Sequence, residues 1–360
     1  MRPLLIIEPN LRGLSGHYGE FVRALGTHAG ENAVDVFAHP QADEMLAAMN
    51  GIRACTDEPR VGCPLAEWRM IVRAVREDIP FLVLTSDGRH AAAVSLAALL
   101  AKRQPKRAHL YFHQAPTKPR DSFFLTMSAA ARKHASAIAP TAKVADSLRD
   151  MGWQHVEYVP YPALAEEKPP QPVPFSHLLM AGAARLNKGL DLVADLAGRW
   201  AGEGRSLPLW VQVSKKHAKR HGHREVAVVE ALLSSGYSGL VASDKAPERA
   251  EYVERFHGAL VLAPYERERF SEAVSGVVLD ALLHGAPVIA TKGTWPGAQV
   301  ERFGAGVTIE DRSVAALATA IDTVLAKWPD YTARACQAAV VLKREHDPER
   351  LLTLLSLSKV

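Results

Sequence analysis

The stretch Ser275-Gly-Val-Val-Leu-Asp280-Ala-Leu-Leu-His284-Gly285-Ala-Pro287-Val-Ile-Ala-Thr291 decides the fold class. Ser275 is a good helix N-cap, because its hydroxyl can accept from an unpaired amide of the first turn. Gly285 supplies a left-handed stop, and Pro287 cannot continue a helix. The spacing therefore predicts a short helix over Gly276–His284. The apolar, β-branched run Val288–Thr291 follows at once and reads as a fully buried strand. A helix feeding such a strand is half of a parallel α/β unit.

The same alternation repeats outward in both directions. Towards the C-terminus, Leu317–Trp328 is amphipathic and another helical segment follows Pro348. Towards the N-terminus, strands are predicted at Ala259–Leu262, Leu240–Ala242, Leu209–Val213 and Leu178–Ala181. Helices are predicted between them at Pro247–Phe256, Val226–Leu233 and Leu190–Trp200. Before these lies a stretch with six prolines, Pro160, Pro162, Pro169, Pro170, Pro172 and Pro174. It can be neither a helix interior nor a central strand, so it reads as an exposed linker over about 160–175. Upstream, strands are predicted at Leu4–Ile7, Phe81–Thr85, His109–His113 and Ile138–Pro140. Helices follow at Gly19–His28, Ala91–Lys102 and from Thr141 to about Met151. The pattern predicts two doubly wound α/β domains, 1–165 and 175–342, with 343–360 as a helix packing back on the first.

Composition agrees. A chain of 360 residues exceeds what one core usually supports. An apolar fraction of 48% with 23% charged residues excludes long disorder and a disulfide scaffold. Three cysteines, Cys55, Cys63 and Cys336, fit a reducing compartment and have no zinc-ligand spacing. A net charge of +4 is too small to argue for nucleic acid. No signal peptide or run of ~18 apolar residues is apparent, so the expected location is cytoplasmic.

Chemistry concentrates around the opening stretch. The free amides near Gly276 and Val277, capped by Ser275, form an anion site aided by the helix dipole. Glu272 precedes that end. Asp280 lies four residues after Gly276, roughly 6 Å along the axis. Two carboxylates thus flank a phosphate-sized pocket, and each can accept from vicinal hydroxyls, as a sugar on either side of a diphosphate requires. A further turn, Met180-Ala-Gly182-Ala-Ala-Arg185-Leu-Asn-Lys188-Gly189-Leu-Asp-Leu192, sets two cations between a strand and a helix. Taken alone, each pair also fits solvated side chains.

The segment from Glu272 to Thr291 resembles the E-x7-E region of retaining glycosyltransferases of family GT4, the glycosyl transferases group 1. Those commonly read E-G-F-G-x-x-x-x-E-A-x-x-x-G-x-P-V-I-A-T. The match covers Glu272, Ala281, Gly285, Pro287, Val288, Ile289, Ala290 and Thr291. The chain departs at Asp280, one methylene shorter than Glu, and at Ser275, where the family has Gly. The Met180–Leu192 turn resembles the family's strand–GR-x-x-x-x-KG–helix turn, with Arg185 and Lys188 more closely spaced. The resemblance implies a GT-B fold, two Rossmann-like domains facing a cleft. It implies Glu272 on the donor sugar, Asp280 on the ribose, and Arg185 and Lys188 on the diphosphate.

In the first domain, Ser15-Gly16-His17 resembles the family's Gly-rich first loop, near the donor diphosphate and the acceptor. His113, at the end of Tyr111-Phe112-His113, corresponds to a histidine that lines the acceptor side; His17 is its rival. Lys102, Arg103, Lys106 and Arg107, and then Arg132 and Lys133, are basic clusters that fit an anionic membrane, a lipid-linked phosphate acceptor or plain solvent. The run Lys215–Arg224 reads as an exposed loop. The sequence holds no D-x-D pair of the kind that carries a metal in GT-A enzymes, so no metal or other cofactor is expected. The absence of G-x-G-x-x-G disfavours a nicotinamide dehydrogenase.

The resemblance implies a retaining hexosyltransferase. It would use a UDP-, GDP- or other nucleoside diphosphate sugar and a glycan or lipid-linked acceptor, in surface polysaccharide or glycoconjugate biosynthesis. Peripheral membrane contact is compatible with it; nucleic acid is not expected as a partner. A non-catalytic nucleotide-sugar binder and a GT-B epimerase or phosphorylase remain open.

Overall fold

The structure is a computed structural model that describes residues 3–13, 17–28, 34–55, 64–117, 119–213, 222–245 and 247–357. The chain forms two compact units, Met1–Leu164 with Glu345–Val360, and Ala165–Arg344. Gly16, Cys63 and most of the Lys215–Arg224 run lie outside the described residues.

The first unit is built on seven parallel strands: β1 (Leu4–Glu8), β2 (Val34–Ala38), β3 (Ile52–Ala54), β4 (Phe81–Val83), β5 (Ala108–Tyr111), β6 (Ser136–Ala139) and β7 (His155–Tyr158). Their order is β3-β2-β1-β4-β5-β6-β7. β1 sets Leu4 beside Val34 and Leu5 beside Phe81. One face of the sheet buries Leu5, Ile7, Val83 and Leu110 against the Pro64–Glu77 and Gly88–Ala101 helices, through Met70, Ile71, Val94 and Ala97. Thr141 caps the Ala142–Asp150 helix by accepting from the Val144 amide, as its position predicts. The final helix, Pro348–Leu357, packs on the His17–His28 helix.

Several expectations need correction here. β2, β3 and β7 are additional strands, all three at or beside an edge, with short or mixed patterns. The first helix begins at His17, so this residue opens a helix rather than ending a loop. β5 stops at Tyr111, leaving His113 two residues beyond it. The proline stretch is exposed only in part, because Pro160, Tyr161 and Pro162 are buried. Tyr161 packs edge-on against Phe21, and its carbonyl accepts from His346 Nδ1 at 2.6 Å.

The second unit has six parallel strands: β8 (His177–Met180), β9 (Leu209–Gln212), β10 (Leu240–Ser243), β11 (Ala259–Ala263), β12 (Val288–Thr291) and β13 (Gly306–Ile309). The order is β10-β9-β8-β11-β12-β13. Trp200 is fully buried among Leu178, Leu209 and Leu232 in the core below the sheet. The amphipathic stretch divides in two. Its helix spans Val314–Ala326, and Trp328 opens the next, Trp328–Glu345. Both sheets reverse strand order at one place, between β1 and β4 in the first and between β8 and β11 in the second. Ligands of open α/β sheets sit outside the carboxyl ends of the strands at such a point.

Candidate functional site

In the second unit, three segments meet at the carboxyl ends of β8 and β11. The first is the Ala181–Gly189 turn. Gly182 (φ +69°) and Gly189 (φ +85°) adopt left-handed backbone that side chains rarely tolerate. A Cβ on Gly189 would lie 2.5 Å from Pro264 Cγ and 2.7 Å from the Pro264 carbonyl oxygen. Glycine is thus required there both for its φ and for the close approach of the β11 exit. Between the glycines, Lys188 swings back over the turn. Its Nζ lies 3.8 Å from where a Gly182 Cβ would stand and 5.7 Å from the centre of the Tyr265 ring. It makes no hydrogen bond or ion pair among the described residues. Desolvation, then the nearby Arg185 guanidinium, lowers its pKa to about 8. Arg185 Nε is buried and unpartnered among the described residues. Two cations therefore share a corner, and the buried Glu225 carboxylate reaches the same turn, accepting from the Leu186 amide at 3.4 Å.

The second segment is the β11 exit. Tyr265 is buried, and desolvation raises its phenol to about 12, so it stays a neutral donor and acceptor. Its oxygen receives a long hydrogen bond from Ser275 Oγ, 3.5 Å. The Glu266 amide donates to the Asn187 carbonyl at 2.9 Å, tying this exit to the cationic turn.

The third segment is the Gly276–Leu283 helix. Ser275 Oγ accepts from the Val278 amide at 3.3 Å, the cap its sequence predicts. Gly285 (φ +74°) follows the His284 C-cap. At the N-terminus nothing stands within 4 Å of where a Gly276 Cβ would be, and Val277 Cγ2 touches the Gly182 position at 3.0 Å. The helix end, the glycine turn and Lys188 are thus neighbours, with open space beside Gly276. Glu272 lies partly exposed in the bend before this helix. Asp280, one turn in, is two-thirds of the way along and already engaged: Tyr252 donates to its Oδ2 at 2.9 Å, and Arg249 stands 3.9 Å away.

The predicted residues Arg185, Lys188, Ser275, Gly276 and Val277 are thus drawn into one corner of the second unit. Tyr265, Tyr252 and Arg249 are members of the neighbourhood that sequence reasoning missed. A tyrosine two residues past the end of a buried strand was the available signal for Tyr265. Nothing in the spacing marks Tyr252 or Arg249, which belong to another helix, the Arg249–Glu254 segment.

In the first unit, His113 Nε2 hydrogen-bonds the Leu84 carbonyl at 3.0 Å, so that nitrogen donates. The ring rests beside Tyr111 and Tyr161. At the switch point between β1 and β4, the buried Glu8 accepts from the Asn10 amide at 3.1 Å, and burial raises its pKa.

No family model matches the chain, and no curated protein matches its sequence. Solved structures do match its fold. Anabaena HepE (Alr3699), crystallised in complex with UDP, superposes with a TM-score of 0.70 at 14% identity, over 99% of this chain and 100% of that one. Sucrose-phosphate synthase from Thermosynechococcus elongatus gives 0.68 at 14% identity over 100% of both chains. A glycosyltransferase from Rickettsia africae gives 0.68 at 13%, over 99% of this chain and 98% of that one. The chain therefore has the GT-B fold of two Rossmann-like domains, as its motifs imply.

Proposed function

We propose that this protein is a retaining, metal-independent glycosyltransferase of the GT4 kind. It would move a hexose from a nucleoside diphosphate sugar to a glycan or lipid-linked acceptor on the cytoplasmic side, in polysaccharide or glycoconjugate biosynthesis. The observation that carries the reading is Lys188: a buried ammonium with no ion pair among the described residues, at the switch point and beside the N-terminus of a capped helix. Support for the donor class comes from HepE, which has been crystallised with UDP and with UDP-glucose.

In this reading Lys188 and Arg185 hold the donor diphosphate, with the amides of Gly276 and Val277 completing an anion cradle. Negative charge grows on the leaving diphosphate as the glycosidic bond breaks. Cations preorganised in a partly dry corner stabilise that charge more than they stabilise the ground state. Glu272 would orient the donor sugar, and Asp280, steadied by Tyr252, would meet the ribose. His113, His17 and Gly16 are assigned to the acceptor and diphosphate side of the first unit. The acceptor hydroxyl is the nucleophile, and no covalent enzyme intermediate is required.

A thermal-shift panel of UDP, GDP, ADP and their sugars identifies the nucleotide, since a ligand of the folded state raises the melting temperature. Lys188→Ala is expected to lower transfer by roughly a hundredfold to a thousandfold, and Glu272→Ala to lower it strongly, with unchanged circular dichroism. Near-normal turnover in both variants would sink the assignment. Anomeric retention is read by proton NMR of the product, and saturating EDTA should leave the rate unchanged.

A further inference from the structure

The cationic turn of the second unit stays unpaired although acids stand close to it. Lys188 and Arg185 make no ion pair among the described residues. Yet Asp191 follows Lys188 by three residues, in the first turn of the Leu190–Glu203 helix. Glu225 is the other acid at the turn, and its Oε2 is engaged by the Leu186 amide at 3.4 Å. Asp191 is turned instead to Arg312, a residue of the β13 exit. Arg312 Nη2 lies 3.7 Å from Asp191 Oδ1, and both atoms are buried with no hydrogen bond among the described residues.

The guanidinium is aimed there by its other end. Its Nε donates to the Pro264 carbonyl at 2.9 Å. That carbonyl oxygen is the one a Gly189 Cβ would meet at 2.7 Å. One side chain therefore joins the β11 exit to the first turn of the helix that follows Lys188. Its own backbone is held on both sides. β13 ends at Ile309, and Ser313 caps the Val314–Ala326 helix by accepting from the Ala316 amide at 3.2 Å. Two residues before Arg312, the Glu310 carbonyl accepts from Arg267 at 3.1 Å.

A carboxylate left without a counter-charge in such a partly dry corner opposes any anion brought to it and attracts the nearest ammonium. Arg312 removes that competition. We infer that Arg312 is a positioning residue: it holds the Asp191 carboxylate and so leaves Lys188 and Arg185 unpaired for an anionic ligand. The inference rests on the reading of this corner as a diphosphate site. It adds a residue, beyond the end of β13, that neither of the two matching motifs contains.

The test follows Lys188 in the ligand-free protein through the pH titration of its side-chain carbon-13 resonance, identified by its absence from Lys188→Arg. In the parent it should titrate at about 8, below the usual 10.5. Arg312→Gln frees Asp191, and Lys188 should then titrate about one pH unit higher. Asp191→Asn has the opposite sign: it leaves the guanidinium without its acid and should move Lys188 below the parent value. The double variant D191N/R312Q should return to within about 0.3 of the parent. UDP affinity, measured by calorimetry at pH 7, should weaken on the order of tenfold in R312Q and recover in the double variant. Arg205→Ala breaks a pair with Asp322 beyond the other end of the Leu190–Glu203 helix; it should lower the melting temperature and leave Lys188 where it is. An unmoved Lys188 in R312Q, or a shift that adding D191N leaves in place, would overturn the inference. Should R312Q not fold, D191N alone decides, and an unmoved or raised Lys188 overturns it. If UDP does not bind the parent, the donor-site reading fails, while the ligand-free titrations still decide what Arg312 does.

Discussion

At the scale of a residue, Lys188 ties structure to chemistry most directly. Its ordinary pKa of 10.5 falls to about 8 through desolvation and the neighbouring Arg185. The sign matters for stability. A lysine depressed in the folded state costs nothing when both states are neutral. The penalty grows as pH falls from 10.5 towards 8 and is complete below that. A bound diphosphate reverses the preference by favouring the ammonium. At pH 8 about half of the free protein carries a neutral Lys188, so binding should take up about half a proton. Calorimetry of UDP binding in two buffers of different ionisation enthalpy measures this uptake. The apparent heat should change with buffer in the parent and not in Lys188→Arg. Buffer-independent heats in the parent at pH 8 would show that the diphosphate binds elsewhere. Lys188 itself was legible in the sequence because a cation before Gly189 follows a strand. Its partner Tyr265 was not, because an aromatic past a strand is far more often core than site. Asp280 was legible as an acid one turn into a helix. Its engagement by Tyr252, 28 residues away, depends on how two helices pack, which no local pattern carries.

Among the elements, legibility followed burial. The strands β1, β4, β8, β11 and β12 are interior to their sheets, almost wholly buried and mostly apolar, and were predicted close to their observed bounds. β3 and β7 are edge strands with mixed residues such as Ile52-Arg-Ala54 and His155-Val-Glu-Tyr158. They face solvent on one side and lack the continuous apolar signal. The helix pair over the first sheet shows a packing device that was equally hidden. His90, in the first turn of the Gly88–Ala101 helix, sits between two carboxylates: Nε2 bonds Glu67 Oε1 at 2.9 Å, and Nδ1 lies 2.9 Å from Asp87 Oδ1 while accepting from the Asp87 amide at 3.0 Å. Desolvation opposes the charged ring, but hydrogen bonds to both acids overcome it and raise His90 to about 9. Asp87 moves the other way, held low by His90 and Arg89 despite its own desolvation. A raised histidine contributes stability that is full below about pH 6.5 and lost as pH climbs through 9. The carboxylate contributes above its ordinary range and fails in acid. The parent should therefore melt at lower temperature at pH 9.5 than at pH 6.5, and His90→Phe should flatten that difference. Equal slopes in parent and variant, over that interval, would mean the bridge between the two helices contributes nothing.

For the whole molecule, the decisive fact is that the chain leaves the first unit at Leu164 and returns to it at Glu345. The proline-rich segment was legible as a boundary because prolines forbid regular structure there. The return is a matter of tertiary packing. His346 is buried and bonds the Tyr161 carbonyl, while the Ala163 amide donates to the His346 carbonyl at 2.9 Å. Beyond it Leu351 and Leu355 are buried, in the helix that packs on His17–His28. The segment from Glu345 to Leu355 thus completes a core whose other parts all lie before residue 165. Each unit has its own sheet and core, so a defect in one need not open the other. Leu351→Ala removes a fully buried side chain and should cost the first unit about 2–5 kcal/mol. Peptide-resolved hydrogen exchange can locate that loss. Amides of β1, β4 and the His17–His28 helix should exchange faster in the variant, while those of β8, β11 and β12 keep their parent rates. Uniform acceleration across both sheets would instead mean that the two units unfold as one cooperative body. The C-terminal helix would then support the whole chain rather than the unit it rejoins.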